Sequence, residues 1–298
     1  MDGVDDLRQV GASYADHLTD TDLRILSTAA RRPAPVAQAA ARLRREPEAI
    51  ATLLAEPAVF DAVFGEHAAA PGRPLLYSPF LVFAVAVHRA RHDLGSMRHV
   101  TERIGMRQRV PVFDAPQLAD FLHAPARRLF LAELLASFTR NASGRYRVQT
   151  DRGWRWRRFD ELDPLRLAGL LSSAAAAERP GVYRRLGDTT LFLAGVFPEY
   201  THDRALSPLD AARLVRTAGL DVGADLERVM ATPAMELFEH LGARWYRSAW
   251  QSAPYRTRNL AVVADIAQRF HQARRVLNHI ADRYLFPVAA QPGGSAAR

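Results

Sequence analysis

Three histidines and one glutamate follow one another at a spacing that could hold a metal ion. His88 and His92 are four residues apart, and His99 and Glu102 fall on nearly the same side of a helical wheel. Imidazole and carboxylate groups on one helix face are common ligands of zinc and other transition metals. Arginines surround these residues on the wheel, and their charge opposes cation binding, so a solvated basic face is the preferred interpretation. A metal-dependent helical-bundle enzyme is the alternative.

The residue types that the chain lacks exclude much other chemistry. Its 298 residues include no Cys and no Lys, so all 40 basic residues are Arg. Disulfides, thiolate nucleophiles, Cys-ligated zinc, Schiff bases and lysine-dependent phosphate loops are therefore excluded. The sequence contains neither a Gly-x-Ser-x-Gly nucleophile motif nor a Gly-rich phosphate fingerprint. We therefore expect a protein that is not an enzyme and needs no cofactor, with a transition metal as the alternative.

Arginines alternate with aromatic residues over the segment 145–159. The alternation has period two on both sides of residues 151–153, which predicts a β-hairpin. Within each strand it predicts aromatic side chains on one face and arginines on the other. Such a ribbon could bind phosphates through guanidinium groups and stack Trp on bases. The candidate residues for contact with nucleic acid or another acidic partner are Arg145, Arg147, Arg152, Trp154, Arg155, Trp156, Arg157 and Arg158.

A structural role for the same hairpin is the competing interpretation. A two-stranded ribbon is only marginally stable alone, so its aromatic residues could pack on the helices while the arginines remain solvated. The net charge of +8 and the pI of 10.4 agree with a nucleic-acid partner. However, exclusive use of Arg together with abundant Ala also follows from a G+C-rich coding bias, so placement of the charge is more informative than its total.

Three short apolar stretches near the N-terminus predict a possible helix-turn-helix. The first helix would end with Leu23–Leu26, and the others would cover 35–43 and 47–54. Their spacing resembles the helix pattern of ArsR-type winged-helix regulators over residues 20–55 only, and this resemblance implies DNA binding by the third helix. The chain departs from the pattern because residues 44–46 contain no Gly and the third helix is apolar and Ala-rich. Both departures put base recognition in doubt.

The remaining elements are predicted from caps and apolar periodicity. A capping residue followed by Pro at 78–79, 163–164, 207–208 and 232–233 predicts helices at 79–104, 164–176, 208–218 and 233–252. Apolar spacing predicts further helices before Thr19, after Thr19, from Pro125, over 181–197 and over 256–286. Gly187 and Gly195 predict close helix approach, and Asp188 is a candidate buried carboxylate that needs Arg184 or Arg185 as its partner.

These elements predict a mainly α, bundle-like assembly of many helices with one central β-hairpin. We expect an N-terminal helical subdomain at 1–70, a helical body at 71–288 with the hairpin at about 145–159, and a flexible tail at 289–298. An acidic start and the lack of a long apolar run predict a cytoplasmic protein with no membrane contact. The leading hypothesis is a non-enzymatic binding protein whose partner is nucleic acid or an acidic protein. A structural scaffold or homo-oligomer subunit is a further alternative.

Overall fold

The computed structural model describes residues 2–30, 36–65, 77–103, 109–151, 153–202, 207–219 and 232–287. As the sequence predicts, the fold is mainly α. Its helices are α1 (Asp2–His17), α2 (Asp20–Ala29), α3 (Val36–Arg45), α4 (Glu48–Leu54), α5 (Pro57–Phe64), α6 (Pro79–Leu94), α7 (Ala115–Phe121), α8 (Pro125–Ser137), α9 (Pro164–Ala168), α10 (Arg179–Val196), α11 (Pro198–His202), α12 (Pro208–Thr217), α13 (Ala234–Ser252), α14 (Arg258–Gln268) and α15 (Phe270–Ile280).

Two antiparallel pairs of strands accompany the helices in the described part of the chain. Strand β1 (Val100–Arg103) pairs with β2 (Arg109–Val112), and β3 (Ser143–Thr150) pairs with β4 (Gly153–Asp160). A 3-10 turn, Gly169–Ser172, continues α9, and a π-helical turn, Ala281–Leu285, continues α15. The second pair is the predicted central hairpin.

Side-chain caps begin several helices where the sequence predicts them. The Ser78 hydroxyl accepts the amide of Leu81 at the start of α6, and Ser207 caps α12 in the same way. Thr19 and Asp22 form a reciprocal capping box at the start of α2. The short polar side chain satisfies amides that have no partner inside the helix, and the Pro that follows loses no hydrogen bond there.

Three predicted helix boundaries are wrong. Helix α6 ends at Leu94, not at 104, because the chain turns at Gly95 and the segment Val100–Arg103, which begins with β-branched Val and Thr, pairs with Arg109–Val112. The helix predicted over 164–176 ends at Ala168 and tightens into the 3-10 turn. The helix predicted over 256–286 is interrupted at Arg269, whose φ of −121° and ψ of 30° are not helical.

Glycines bring the central helices close together, as predicted. A Cβ atom at Gly187 of α10 would lie 2.4 Å from the ring of Tyr246 on α13. A Cβ at Gly195 would lie 2.6 Å from the Cβ of Leu277 on α15. The bare backbone of α10 therefore packs directly on side chains of α13 and α15, and both contacts leave no room for a methyl group.

The N-terminal helices share a buried apolar cluster with α6 and α8. Val10 and Tyr14 of α1 and Leu23 of α2 belong to the same cluster as Leu81 of α6 and Ala132 of α8. The domain boundary predicted near residue 70 and the tail at 289–298 lie outside the described residues. Among the described helices, none combines the length and the apolar character needed to cross a bilayer.

Candidate nucleic-acid interface

The hairpin predicted at about 145–159 is present, and it begins two residues before and ends one residue after the predicted segment. Its register pairs Ser143 with Asp160 and Thr150 with Gly153. Gly153 has a φ of +96°, which a residue with a side chain rarely adopts, so this glycine permits the reversal between the strands. The two strands are thus held in one register from the helical body to the turn.

The register places aromatic and basic residues together instead of on opposite faces. Residues directly opposite each other on paired strands project to the same face. Three such pairs, listed by strand order, define what we call the Trp face: Arg145 with Arg158, Arg147 with Trp156, and Gln149 with Trp154. Within β3 the alternation separates the two residue classes, as predicted, whereas in β4 Arg158 lies on the same face as the two tryptophans. The expectation of one aromatic and one basic face is nevertheless wrong, because the pairing sets β4 aromatics opposite β3 arginines.

Both tryptophans of the Trp face are exposed. Trp154 is 61% and Trp156 is 65% accessible to solvent. The guanidinium carbon of Arg147 lies 5.3 Å from the ring centroid of Trp154 and 5.7 Å from that of Trp156, so this arginine bridges the two rings by cation–π contacts. The competing interpretation, in which the hairpin aromatics pack on the helical body, is therefore wrong for these two residues.

The opposite face of the hairpin contacts the body through Tyr146. Its hydroxyl oxygen lies 2.6 Å from the position that a Cβ at Gly169 would take. Burial raises the pKa of this Tyr146 hydroxyl, and the nearby Arg157 lowers it by a smaller amount. Arg155 and Arg157 project on this side, because they pair with Val148 and Tyr146. The hairpin thus has an attached face and a free face, and the free face carries the tryptophans.

Polar contacts fix the base of the hairpin to α8 and α10. Glu161 follows β4 and accepts a hydrogen bond of 2.9 Å from the guanidinium of Arg185. The Thr189 hydroxyl donates to the Glu161 carbonyl at 2.8 Å, and Arg185 also donates to the Ser137 hydroxyl at 2.8 Å. These bonds orient the ribbon without using any residue of the Trp face.

The predicted candidates of the hairpin divide into three sets. Arg145, Arg147 and Arg158 lie on the Trp face with the two tryptophans, whereas Arg155 and Arg157 lie on the attached face. Arg152 lies outside the described residues. Residues 143–160 contain six arginines and two aspartates, so their charge sums to +4, half of the +8 carried by the whole chain.

The structure does not bring the four candidate metal ligands together. His88 is buried and its Nε2 lies 3.1 Å from the Tyr14 hydroxyl. Burial lowers the pKa of this imidazole well below its usual value, and Arg128 and Arg91 lower it further. His92 is exposed beside Asp93, whereas His99 lies beyond the end of α6, where its ring is 5.6 Å from that of Phe113.

Glu102, the fourth candidate ligand, belongs to a buried ion network. Its carboxylate lies 2.5 Å from an Nη of Arg274 and 3.6 Å from an Nη of Arg275. Arg275 is fully buried and donates two hydrogen bonds, of 2.8 and 2.9 Å, to Asp114. Arg274 also contacts Glu239. Across the ranges that the structure describes, no group of three or more His, Asp or Glu residues is arranged to hold a metal ion.

The helices that carry the resemblance to winged-helix regulators are formed as α2, α3 and α4. Their buried residues include Leu26, Leu43 and Ile50, which pack in the N-terminal cluster. Helix α4, the candidate recognition helix, exposes Glu48 and Thr52 and contains no basic residue. The single charged side chain of this helix is a carboxylate, which cannot pair with DNA phosphates, so the helix offers little for DNA recognition.

Asp188 is the buried carboxylate that the sequence predicts. It accepts a hydrogen bond of 2.8 Å from the Tyr246 hydroxyl, and its Oδ2 lies 3.8 Å from the Nε of Arg184. Burial raises the pKa of Asp188 above its usual value, and Arg184 opposes this shift. Trp245 and Tyr246 are core residues, whereas Tyr255 is exposed.

Sequence reasoning missed a polar cleft beside Asp188. The cleft has a volume of about 510 Å³, and its lining includes His17, Glu133, Arg184, Asp188 and Asn259. These residues come from α1, α8, α10 and α14, so no local spacing in the sequence brings them together. The only sequence feature that pointed to this cleft is Asp188, a carboxylate in the middle of an apolar helix.

Comparisons with known proteins give no further assignment: no protein-family model, no curated protein sequence and no solved structure matches this chain.

Proposed function

We propose that this protein binds single-stranded nucleic acid through the Trp face of its hairpin. The observation that carries the proposal is the exposure of Trp154 and Trp156 side by side on a free face that also carries arginines. Contact of an apolar indole ring with water is unfavourable, and two neighbouring exposed tryptophans are typical of a surface that contacts a partner.

The spacing of the two indole rings suits stacked bases. Trp154 and Trp156 are two residues apart on β4 and so lie about 7 Å apart along the strand. Stacked aromatic rings are about 3.4 Å apart, so an interval of about 7 Å has room for one base between the two indoles. Stacking requires splayed or unpaired bases, and for this reason we propose a single strand instead of a duplex.

The arginines of the Trp face supply the electrostatic part of the interaction. Arg145, Arg147 and Arg158 border the rings and can contact phosphates on either side of stacked bases. If three phosphates are neutralised, the slope of log K against log salt is about −2 for a single strand. Raising the salt from about 50 to about 200 mM then weakens binding by roughly 20-fold.

Fluorescence anisotropy with a labelled oligothymidylate and a duplex of equal length tests this proposal. We expect the single strand to bind more tightly and its affinity to fall with salt as above. Arg147→Glu should weaken binding more than Arg155→Glu, which makes the same charge change on the attached face. Equal losses in the two variants, or a preference for the duplex, would contradict assignment to the Trp face. Equal competition by polyglutamate would indicate an acidic protein as the partner.

A further inference from the structure

The polar cleft is a second feature with the character of a binding site, and it is separate from the Trp face. It lies among α1, α6, α8, α10 and α14 and measures about 510 Å³, within the range typical of small-molecule sites. A narrower lobe of about 50 Å³ shares part of its lining. The residues common to both lobes are Phe130, Glu133, Arg184 and Asn259. One cation, one carboxylate and one amide therefore meet where the lobes join.

Arg184 offers unused hydrogen-bond donors to the cleft. Among the described residues its partner is Asp188, and the Nε–Oδ2 distance of 3.8 Å is too long for a hydrogen bond. The Asp188 carboxylate instead accepts a hydrogen bond of 2.8 Å from the Tyr246 hydroxyl. The terminal nitrogens of an arginine form a planar fork that matches a carboxylate. Arg184 is thus placed to bind a carboxylate ligand.

Glu133 offers an acceptor on the other side of the same junction. Its Oε1 accepts a hydrogen bond of 2.9 Å from Nε2 of His17, and no described residue donates to its Oε2. The hydrogen bond to Glu133 raises the pKa of His17, although partial burial opposes this effect. The glutamate is 24% exposed at its side chain, so a ligand ammonium group can reach the second oxygen.

Apolar side chains line the wider lobe beside these polar groups. Phe80, Phe130 and Leu134 form part of its wall. The ring of His17 stacks on Phe80 with their centroids 4.6 Å apart, which fixes the imidazole that holds Glu133. An apolar group attached to a zwitterionic head would therefore be buried against aromatic and aliphatic surface while the head meets Arg184 and Glu133.

We infer that the cleft binds a free α-amino acid with an apolar side chain. The carboxylate of the ligand lies on Arg184, its ammonium group on Glu133, and its side chain against Phe130 and Leu134. Asn259, at the rim, can donate to the same carboxylate. A ligand that lacks either charged group would displace water from Arg184 or Glu133 without supplying a hydrogen bond in its place, and this penalty gives the site its specificity.

Isothermal titration with L-phenylalanine and two analogues tests the inference. The analogue 3-phenylpropionate lacks the ammonium group, and 2-phenylethylamine lacks the carboxylate. We expect saturable binding of L-phenylalanine and at least about tenfold weaker binding of each analogue, since each loses a charge-assisted hydrogen bond. Absence of saturable binding for L-phenylalanine, L-leucine and L-methionine would overturn the inference. Equal affinity for the amino acid and both analogues would overturn it as well.

Two variants assign the charged groups separately. In Arg184→Gln the advantage of L-phenylalanine over 2-phenylethylamine should disappear, while its advantage over 3-phenylpropionate should persist. In Glu133→Gln the opposite pattern is expected. Arg213→Gln, which removes an exposed arginine of α12, is the matched control and should bind like the unaltered protein. Variants that fold but keep both preferences would overturn the assignment, and if a variant does not fold, the analogue series on the unaltered protein decides.

Discussion

Replacement of the two exposed tryptophans is the most direct test of the Trp face. We consider Trp154→Ala and Trp156→Ala, each compared with its Phe counterpart. Stacking of a base on an aromatic ring contributes about 1–3 kcal/mol by alanine substitution. At 1.4 kcal/mol per factor of ten, each Ala variant should bind oligothymidylate about 5- to 150-fold more weakly. The Phe variants keep an aromatic face and should retain most of the affinity.

The same substitutions should leave the fold almost unchanged. Trp154 and Trp156 are 61% and 65% exposed, so less than half of each side chain is buried. The losses are the cation–π contact with Arg147, about 0.5–1 kcal/mol, and a fraction of a kcal/mol of strand preference. We therefore expect the free energy of unfolding to fall by no more than about 1.5 kcal/mol, a difference that urea titration can resolve.

The exposure of both tryptophans predicts that the Ala variants lose affinity for oligothymidylate but little stability. Binding is measured by anisotropy at about 50 mM salt, where the electrostatic contribution is large, and unfolding by circular dichroism in urea. Ala variants that bind oligothymidylate as tightly as the unaltered protein would refute the stacking argument. Ala variants that lose several kcal/mol of stability would show that the indoles are structural, contrary to their exposure.

Two further predictions concern the core. Gly187→Ala should destabilise the protein by about 1–2 kcal/mol in urea titration. The methyl group would overlap the buried Tyr246 ring, and this cost exceeds the gain from the higher helix propensity of Ala. Gly181→Ala, where no neighbouring atom lies within 4 Å of the new Cβ, is the control and should be neutral or stabilising. Glu239→Gln should cost about 2 kcal/mol at pH 7, since buried Arg274 loses one of its two carboxylate partners and keeps Glu102. Burial alone raises the pKa of the Glu239 carboxyl, but its two basic partners bring this pKa below the ordinary value of 4.5. The stability that ionised Glu239 contributes is therefore present above pH 4.5 and is lost as the pH falls through the lower pKa of the folded protein. A difference between the two proteins that stays constant from pH 7 to pH 3 would contradict this account.

Local sequence signals predict the long helices and the central hairpin of this fold, but not α5, α7, α11 or the pair β1–β2. A capping side chain followed by Pro places the first turns of α6, α9 and α12 correctly, because these hydrogen bonds form within a few residues of the chain. The end of α6 is predicted poorly. Apolar residues continue with helical period past Leu94, and the competing pairing of Val100 with Val112 depends on a segment farther along the chain. Non-local pairing therefore overrides a local pattern at this point.

The candidate sites divide in the same way between local and non-local information. Alternation predicts the hairpin and separates Trp156 from Arg155, but the cross-strand register decides that Trp156 lies beside Arg147. The buried position of His88 follows from contact with Tyr14, a residue 74 positions earlier in the chain. The cleft depends on five helices that are distant in sequence. Spacing along one segment contains no information on such contacts, so sequence analysis cannot find them.

The exclusive use of arginine gives the Trp face a charge that does not change. The basic groups beside the indole rings belong to Arg145, Arg147 and Arg158, and none of them is a lysine. Lysine acetylation, which removes a positive charge, has no acceptor side chain anywhere in this sequence, and arginine methylation leaves the charge in place. The affinity of the Trp face for an acidic partner therefore depends on ionic strength and on competing ligands. It cannot be lowered by acetylation of lysines.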